Sequence, residues 1–266
     1  MEDFLEAQRQ LHAAGRSLFL TLNEHSNPPE VVDRIEALLQ QLVSSPGLTG
    51  VIVADLGLAR FLSERFPELI LVASTGLALS NSGAVELVRR LGIRRVVFPR
   101  MLHLEEMAAL VERCPEVEFE TFVMNDRCPN VDGLCNFVHW EVGETHFPNQ
   151  CRFVRLDGAT GPDQRPGNFN LSLRFREDAC GACSLHALRE AGVQHLKIVG
   201  RDRGLENKRQ AVSFLAGLLE RLAAGPLPAG EFHALARERY AETFGRACTP
   251  DQCYLPGEGE AKEPAA

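Results

Sequence analysis

Residues 50–75, GVIVADLGLARFLSERFPELILVAST, carry the pattern that decides the fold. The stretch opens with the apolar run Gly50–Asp55, continues through a helix-forming segment at Gly57–Phe66, and closes with a second apolar run at Ile70–Ser74. A short apolar run with few polar residues is typical of a strand that is buried on both faces. Two such strands joined by a helix predict a β–α–β unit, the building block of a parallel sheet.

The same alternation extends in both directions from this unit. We predict further strands at Ser17–Asn23, Arg95–Phe98, Val117–Val123 and His195–Ile198, with helices between them. The fold class is therefore α/β with parallel strands, either a barrel or a doubly wound sheet. The chain has no glycine-rich loop of the P-loop or dinucleotide-binding type, which makes a nucleotide-binding sheet the less favoured of the two.

Composition limits the classes of protein to consider. The chain has 266 residues, of which 45% are hydrophobic and 24% are charged, as expected for a globular protein with a sizeable core. The net charge of −8 gives no overall attraction to nucleic acid. Because no apolar run reaches the ~18 residues of a membrane span, and the N-terminus MEDFLEAQRQ does not resemble a signal peptide, we expect a cytoplasmic protein.

The cysteines predict a metal site. In a reducing compartment, eight cysteines indicate metal or redox chemistry rather than disulfides. Cys128 and Cys135 flank a loop, Cys151 follows, and Cys180-Gly-Ala-Cys183 has a spacing that brings two sulfurs to one ion. This spacing favours an iron–sulfur cluster, with structural zinc and buried cysteines without a metal as the alternatives. The roles of Cys248 and Cys253 stay open.

Polar residues recur where the predicted strands end, as substrate-binding groups do in a β/α barrel. The candidate substrate-binding residues are Asn23, Asp55, Ser74, Arg100, Lys197 and Arg201. The alternative is structural, because Asn, Asp and Ser also cap helices, and because Arg and Lys also belong to an ordinary solvated surface.

We divide the chain into a barrel-like domain at 1–224 and a C-terminal extension at 225–266 whose last residues we expect to be disordered. The first of these includes a cysteine-rich metal-binding region at 124–184.

The chain resembles the collagenase-like peptidase family U32. The resemblance rests on LFLTLNEH, on residues 50–75, on NSGAVELVRRLGIRRVVFPRMLHLEEM, on VEFETFVMNDRCPNVDGLC and on CGACSLHALREAGVQHLKIVGRDRG. Together these stretches span most of residues 4–215. The resemblance implies a TIM-barrel-like fold in which Cys128, Cys135 and Cys151, with either Cys180 or Cys183, bind a 4Fe-4S cluster.

The resemblance also suggests what the protein does. The better-understood relatives support oxygen-independent hydroxylation of ubiquinone precursors or of RNA bases, so the expected substrate is a small molecule or an RNA. Peptidase activity, as in the family label, and a non-catalytic iron–sulfur partner subunit are the alternatives. Candidate RNA-binding cations are Arg94, Arg95, Arg201, Arg203, Lys208 and Arg209.

The sequence departs from the family in two respects. Met101, Met124, Val199 and Gly76 replace polar residues of many members, which makes the usual substrate an open question. The first two strand–helix units of the family are also missing, and six strands do not close an eight-stranded barrel. We therefore expect an incomplete barrel, for which three explanations are open: the chain is truncated, a partner chain or a second copy completes the barrel, or the sheet is open.

Overall fold

The computed structural model describes residues 1–128, 132–134, 178–200, 203–249 and 252–255. Their contacts divide the chain into two compact units. The first unit contains Met1–Phe122 and Ser184–Lys197, and the second contains Val123–Cys183 and Ile198–Ala266. The predicted domain boundary after residue 224 stays a prediction.

Helices and strands alternate along the chain as the sequence predicts. The helices are α1 (Glu2–Ala13), α2 (Pro29–Val43), α3 (Leu56–Arg65), α4 (Ser82–Arg90), α5 (Leu104–Arg113), α6 (Leu185–Glu190), α7 (Leu205–Ala223) and α8 (Ala229–Phe244). The strands are β1 (Leu18–Leu22), β2 (Leu48–Val53), β3 (Ile70–Ala73), β4 (Ile93–Val97), β5 (Glu118–Met124) and β6 (His195–Ile198).

The six strands form one sheet in the order β1-β2-β3-β4-β5-β6, and neighbouring strands from β1 to β5 pair in parallel. Sequential order is what a β/α barrel has, whereas a doubly wound sheet reverses its order at a switch point. The α/β fold is thus confirmed, and its strand order is consistent with an incomplete TIM-like barrel.

The register aligns one residue from each of five strands in a row: Thr21, Ile52, Val72, Arg95 and Glu118. Because side chains alternate along a strand, residues two positions further along share the same face of the sheet. The carboxyl ends of these parallel strands therefore meet at one edge, where the sequence places its polar residues.

Gly50 shows how closely the strands approach one another. A Cβ at this position would lie 2.1 Å from the Ile70 carbonyl oxygen and 2.8 Å from Cε1 of Phe19. Only glycine leaves space for this contact between β2 and β3. Phe98, directly after β4, and Phe119 of β5 are buried and stack with their ring centroids 4.7 Å apart.

The helices of the first unit follow from local sequence signals. In α2, Ile35, Leu39 and Leu42 are buried at the spacing of one helical face, and Pro29 occupies the first turn. Asn81 caps α4 by accepting a hydrogen bond from the backbone of Ala84 at 2.9 Å.

The second unit is organised around α7 and α8. Phe214 of α7 meets Tyr240 and Phe244 of α8 edge-on, with centroid separations of 5.9 and 5.3 Å. The helix α8 ends at Gly245, whose φ of 67° is the left-handed conformation that glycine adopts at helix ends. No helix among the described residues is long and apolar enough to cross a membrane.

Candidate functional site

Two of the predicted substrate-binding residues are helix caps. Asp55 Oδ1 accepts hydrogen bonds from the backbone of Gly57 at 2.7 Å and Leu58 at 3.1 Å, and its Oδ2 accepts two from Asn27. Burial would raise the pKa of Asp55, but these hydrogen bonds outweigh burial and lower it. Ser74 is buried and accepts from the backbone of Gly76 at 3.3 Å. The structural alternative therefore accounts for both residues.

Asn23 lies on the exposed segment that follows β1. Gly76 replaces the polar side chain that many family members carry. A Cβ at Gly76 would lie 2.7 Å from Cε1 of His25 and 3.2 Å from Cβ of Ala54. His25 thus occupies the space that a side chain at position 76 would need, which is consistent with a glycine at this position.

A network of charged side chains connects β4, β5 and β6 in the first unit. Lys197 donates to Glu120 at 2.7 Å, and Arg95 binds Glu118 at 2.9 Å and Glu120 at 3.6 Å. His195 lies 3.0 Å from the same Glu118. Burial would raise the pKa of Glu118, but Arg95 and then His195 lower it. The predicted residue Lys197 is therefore held by an ion pair.

Arg100 and Lys197 both lie near the ring of Phe122. The Arg100 guanidinium carbon is 3.9 Å from the ring centroid, and the Lys197 ammonium is 5.8 Å from it. Such contacts between cations and an aromatic face are attractive. The structure thus brings together two of the predicted cationic residues, whereas Arg201 lies outside the described residues.

The second unit contains a pocket of about 240 Å³ at the end of β5, which we call the polar pocket. Its lining combines three charged residues, three amides and three apolar or aromatic residues: Asp178, Arg203 and Arg246; Asn125, Asn207 and Gln210; Met124, Tyr240 and Phe244.

Ion pairs hold the charged part of the polar pocket. Arg203 donates to Asp126 at 2.9 Å and to Asp178 at 3.4 Å, and Arg246 donates to Asp178 at 2.8 Å. The hydrogen bond from Arg246, with Arg203 contributing, lowers the pKa of Asp178. Burial opposes the charge on Arg203, but Asp126 and Asp178 outweigh it and raise the pKa of Arg203.

The backbone at this site is in an uncommon conformation. Asn125 has a φ of 64° and Asp126 a φ of 40°, both in the left-handed region. Asn and Asp tolerate this region better than other residues with a Cβ, and strained backbone is frequent at functional sites. Gly200 makes room for Arg203, because a Cβ there would lie 2.6 Å from Cδ of that arginine.

The segment that carries Cys180 is fixed from both sides within the second unit. Gly181 donates its amide to the carbonyl of Val123 at 2.8 Å, next to an antiparallel bridge between Met124 and Cys180. On the other side, the Cys180 amide donates to the carbonyl of Gln252 at 2.8 Å, and the Tyr254 amide donates to the carbonyl of Cys180 at 2.9 Å. The chain beyond α8 thus helps to position a predicted metal ligand.

Several thiols gather near Cys180. Burial raises the pKa of the Cys180 thiol to about 12, and the neighbouring Cys183, Cys248 and Cys253 act in the same direction. Cys128 is half-buried and follows shortly after β5. Cys135 and Cys151 lie outside the described residues, and within those residues no three His, Cys, Asp or Glu side chains form a group that could hold a metal ion.

The residues present fit an iron–sulfur group in their donor chemistry. Soft thiolate ligands suit iron–sulfur clusters, and a thiol with a raised pKa is deprotonated when a metal binds it. Cys180 lies in a segment bonded to the end of β5, and Cys128 follows that same strand end. The cluster itself stays a prediction.

Sequence reasoning missed much of the polar pocket. Asp178 and Arg246 are 68 residues apart, and neither belongs to a motif. Arg203 was a candidate only for RNA binding. The one usable signal was the pair Asn125 and Asp126 directly after β5, a position typical of functional residues in a barrel.

The protein is thus a parallel α/β protein whose candidate site lies beyond β5, where Cys128 and Cys180 are located. A model of peptidase family U32 matches residues 1–263, and the chain belongs to this family.

Curated relatives are similar over parts of their length. The tRNA hydroxylation protein P of Escherichia coli is 28% identical over 126 residues, which is 47% of this chain and 27% of that protein. The tRNA hydroxylation protein P1 of Bacillus subtilis is 25% identical over 236 residues, 85% of this chain and 55% of that protein. The chain thus spans about half or less of these relatives.

A solved structure of a U32 peptidase is also similar, at 24% sequence identity and a TM-score of 0.41. The similarity covers 47% of this chain and 53% of the chain of that peptidase.

Proposed function

We propose that this chain takes part in oxygen-independent hydroxylation of a base in transfer RNA and depends on an iron–sulfur cluster. The observation that carries the proposal is the similarity to a tRNA hydroxylation protein along 85% of this chain. Family membership over residues 1–263 supports it, because the similarity is not confined to one motif.

The proposed cluster ligands are Cys128, Cys135 and Cys151, with Cys180 or Cys183 as the fourth. They belong to the cysteine-rich region at 124–184. A 4Fe-4S cluster supplies single-electron transfer when bound. Of the two candidates for the fourth ligand, the buried Cys180 is held on both sides by backbone hydrogen bonds. This rigidity favours Cys180, because a ligand fixed in place loses little conformational entropy on binding.

The chain's own residues have two further tasks in this proposal. Arg100 and Lys197 of the first unit, which lie over the buried ring of Phe122, offer cationic groups to the phosphates of a polyanion. The polar pocket of the second unit offers a recessed space next to the strand end that Cys128 follows. Net charge keeps RNA affinity modest, so contacts at these places must provide the specificity.

A second proposal concerns assembly. The strands β1 and β6 are the two edges of the described sheet. An exposed parallel edge promotes association, so we propose that a second copy or a related partner chain pairs with these edges. In this arrangement the chain acts as an iron–sulfur subunit. Its molar mass in solution, measured by light scattering alone and with a co-expressed partner, tests this.

The hydroxylation proposal is tested on RNA from cells, where the co-substrates of the reaction are present. Nucleosides from transfer RNA are compared by mass spectrometry between cells that lack this chain and cells that express it. We expect a nucleoside with one additional oxygen atom only when the chain is present, and its loss in the Cys128→Ser variant.

Cys114→Ser is the matched control. Cys114 is a buried cysteine at the end of α5 in the first unit and is not a proposed ligand. This variant should keep the modified nucleoside. An unchanged nucleoside profile in all strains would overturn the proposal, and gelatin cleavage by the pure protein would favour the peptidase alternative.

A further inference from the structure

We infer that the polar pocket binds an uncharged, planar heterocycle, namely a nucleobase, and not a phosphate group. The inference rests on the proposed function for the choice of RNA as the source of the ligand. The uncharged character of the ligand, however, follows from the pocket itself, from its charge balance, its amides and its size.

The charged side chains of the pocket are already paired. Asp178 of the lining binds both Arg203 and Arg246, and Arg203 also binds Asp126, which does not line the pocket, through ion pairs of 2.8–3.4 Å. A phosphate entering here would have to displace a carboxylate or lie next to one, and both cost free energy. An arginine pair dedicated to phosphate would instead leave its guanidinium donors available for bidentate binding.

The amides of the pocket have hydrogen-bonding capacity left over. Gln210 donates to the carbonyl of Thr243 at 2.6 Å, which leaves its Oε1 available within the described part of the chain. Asn125 donates to the carbonyl of Val199 at 3.1 Å and likewise keeps its Oδ1. Asn207 makes no side-chain hydrogen bond to a described residue. Each amide oxygen accepts and each free amide nitrogen donates, so the pocket offers both functions.

The remaining lining is aromatic and apolar, and its two rings are tilted to each other by 41°. Tyr240 and Phe244 lie with their ring centroids 4.7 Å apart, and the buried Met124 adds a polarisable thioether. Aromatic side chains stack on bases with little dependence on sequence. The volume of about 240 Å³ is below the range of about 300–1,000 Å³ for drug-sized ligands, so the pocket suits a ring rather than a nucleotide chain.

These properties together match how proteins recognise a base that has left its stack. Such a base is held by hydrogen bonds to its edge and by contact with aromatic or apolar side chains. A neutral ring with adjacent donors and acceptors uses the free amide groups without disturbing the ion pairs. We therefore assign Asn207 and Gln210 as the residues that recognise the nucleobase. The third amide of the lining, Asn125, lies directly after β5.

The test measures direct binding of probe compounds to the full chain by ligand-detected nuclear magnetic resonance. The probes are uridine, adenosine, ribose 5-phosphate and inorganic phosphate. We expect at least one nucleoside to bind, and neither phosphate compound to displace it. In Gln210→Leu and Asn207→Leu, loss of a hydrogen bond should weaken nucleoside binding by about tenfold. Both positions are exposed on α7, so the variants are expected to fold.

Gln41→Leu is the matched control, because Gln41 is an exposed glutamine on α2 of the first unit. Its nucleoside binding should equal that of the wild type. The inference is overturned if no nucleoside binds, if phosphate displaces the nucleoside, or if a tripeptide probe binds in its place. Because the experiment needs neither iron nor turnover, nucleoside binding without any tRNA product would reject the proposed function and keep this inference.

Discussion

Tyr254→Phe removes one hydroxyl group from the second unit and tests how the Cys180 segment is held. The Tyr254 hydroxyl donates to the carbonyl of Asn125 at 2.6 Å, and the tyrosine is only 3% exposed. Leaving a buried carbonyl without such a donor costs about 1–3 kcal/mol. The backbone of Asn125 is also in the left-handed region, so its conformation depends on contacts of this kind.

The expected effect appears in amide hydrogen exchange. The Tyr254 amide donates to the carbonyl of Cys180, so it exchanges only when this contact opens. A loss of about 1.4 kcal/mol corresponds to a tenfold change in an equilibrium constant. We therefore expect the Tyr254 position and the neighbouring amide of Gly181 to exchange at least about fivefold faster in the variant.

Tyr240→Phe is the matched control, since the chain has only two tyrosines. The Tyr240 hydroxyl interacts with Arg246 and not with the backbone of the cysteine segment, and Arg246 keeps its ion pair with Asp178 in this variant. Exchange at Gly181 should change little in this control. Equal exchange in wild type and Tyr254→Phe would refute the claim that the C-terminal residues hold the cysteine segment.

Two further predictions concern packing and pH. Gly50→Ala should lower the midpoint of thermal unfolding strongly, because its Cβ would overlap a backbone carbonyl at 2.1 Å. In Gly217→Ala on α7 the added Cβ has nothing within 4 Å, so this variant should be more stable by about 0.5–1 kcal/mol. For Asp178, the native pKa is lowered, so its contribution to stability is present above the unfolded value of about 3.9 and is lost as pH falls through the native pKa. Urea unfolding should then show a stability gap between wild type and Asp178→Asn at neutral pH that closes in acid, and a gap of constant size would contradict the ion-pair assignment.

The sequence was sufficient for elements whose signals are local. The helix predicted between the strands Arg95–Phe98 and Val117–Val123 is α5, and the apolar run Ile70–Ser74 contains β3. Both predictions depend on the hydrophobic periodicity and on the residues that end the element. These signals are carried by residues that are neighbours in the sequence. The cap function of Asp55 was one of two open interpretations; its bonds to Gly57 and Leu58 show the cap, and its role in substrate binding stays a prediction.

The polar pocket was beyond the reach of local patterns. Asp126, Asp178, Arg203 and Arg246 come from four places in the sequence and meet only after the chain has folded. No periodicity relates residues at such distances, and each looks like an ordinary surface charge by itself. The cluster ligands present the opposite case, because their spacing was visible in the sequence while Cys135 and Cys151 fall outside the described residues.

The most direct test of the account is the iron and acid-labile sulfide content of protein purified without oxygen, together with its electron paramagnetic resonance spectrum after reduction. We predict iron and sulfide in the wild type and a spectrum of a reduced 4Fe-4S cluster, both lost in Cys135→Ser and Cys151→Ser. Colourless wild-type protein without iron, or variants that keep the full cluster, would contradict the central claim.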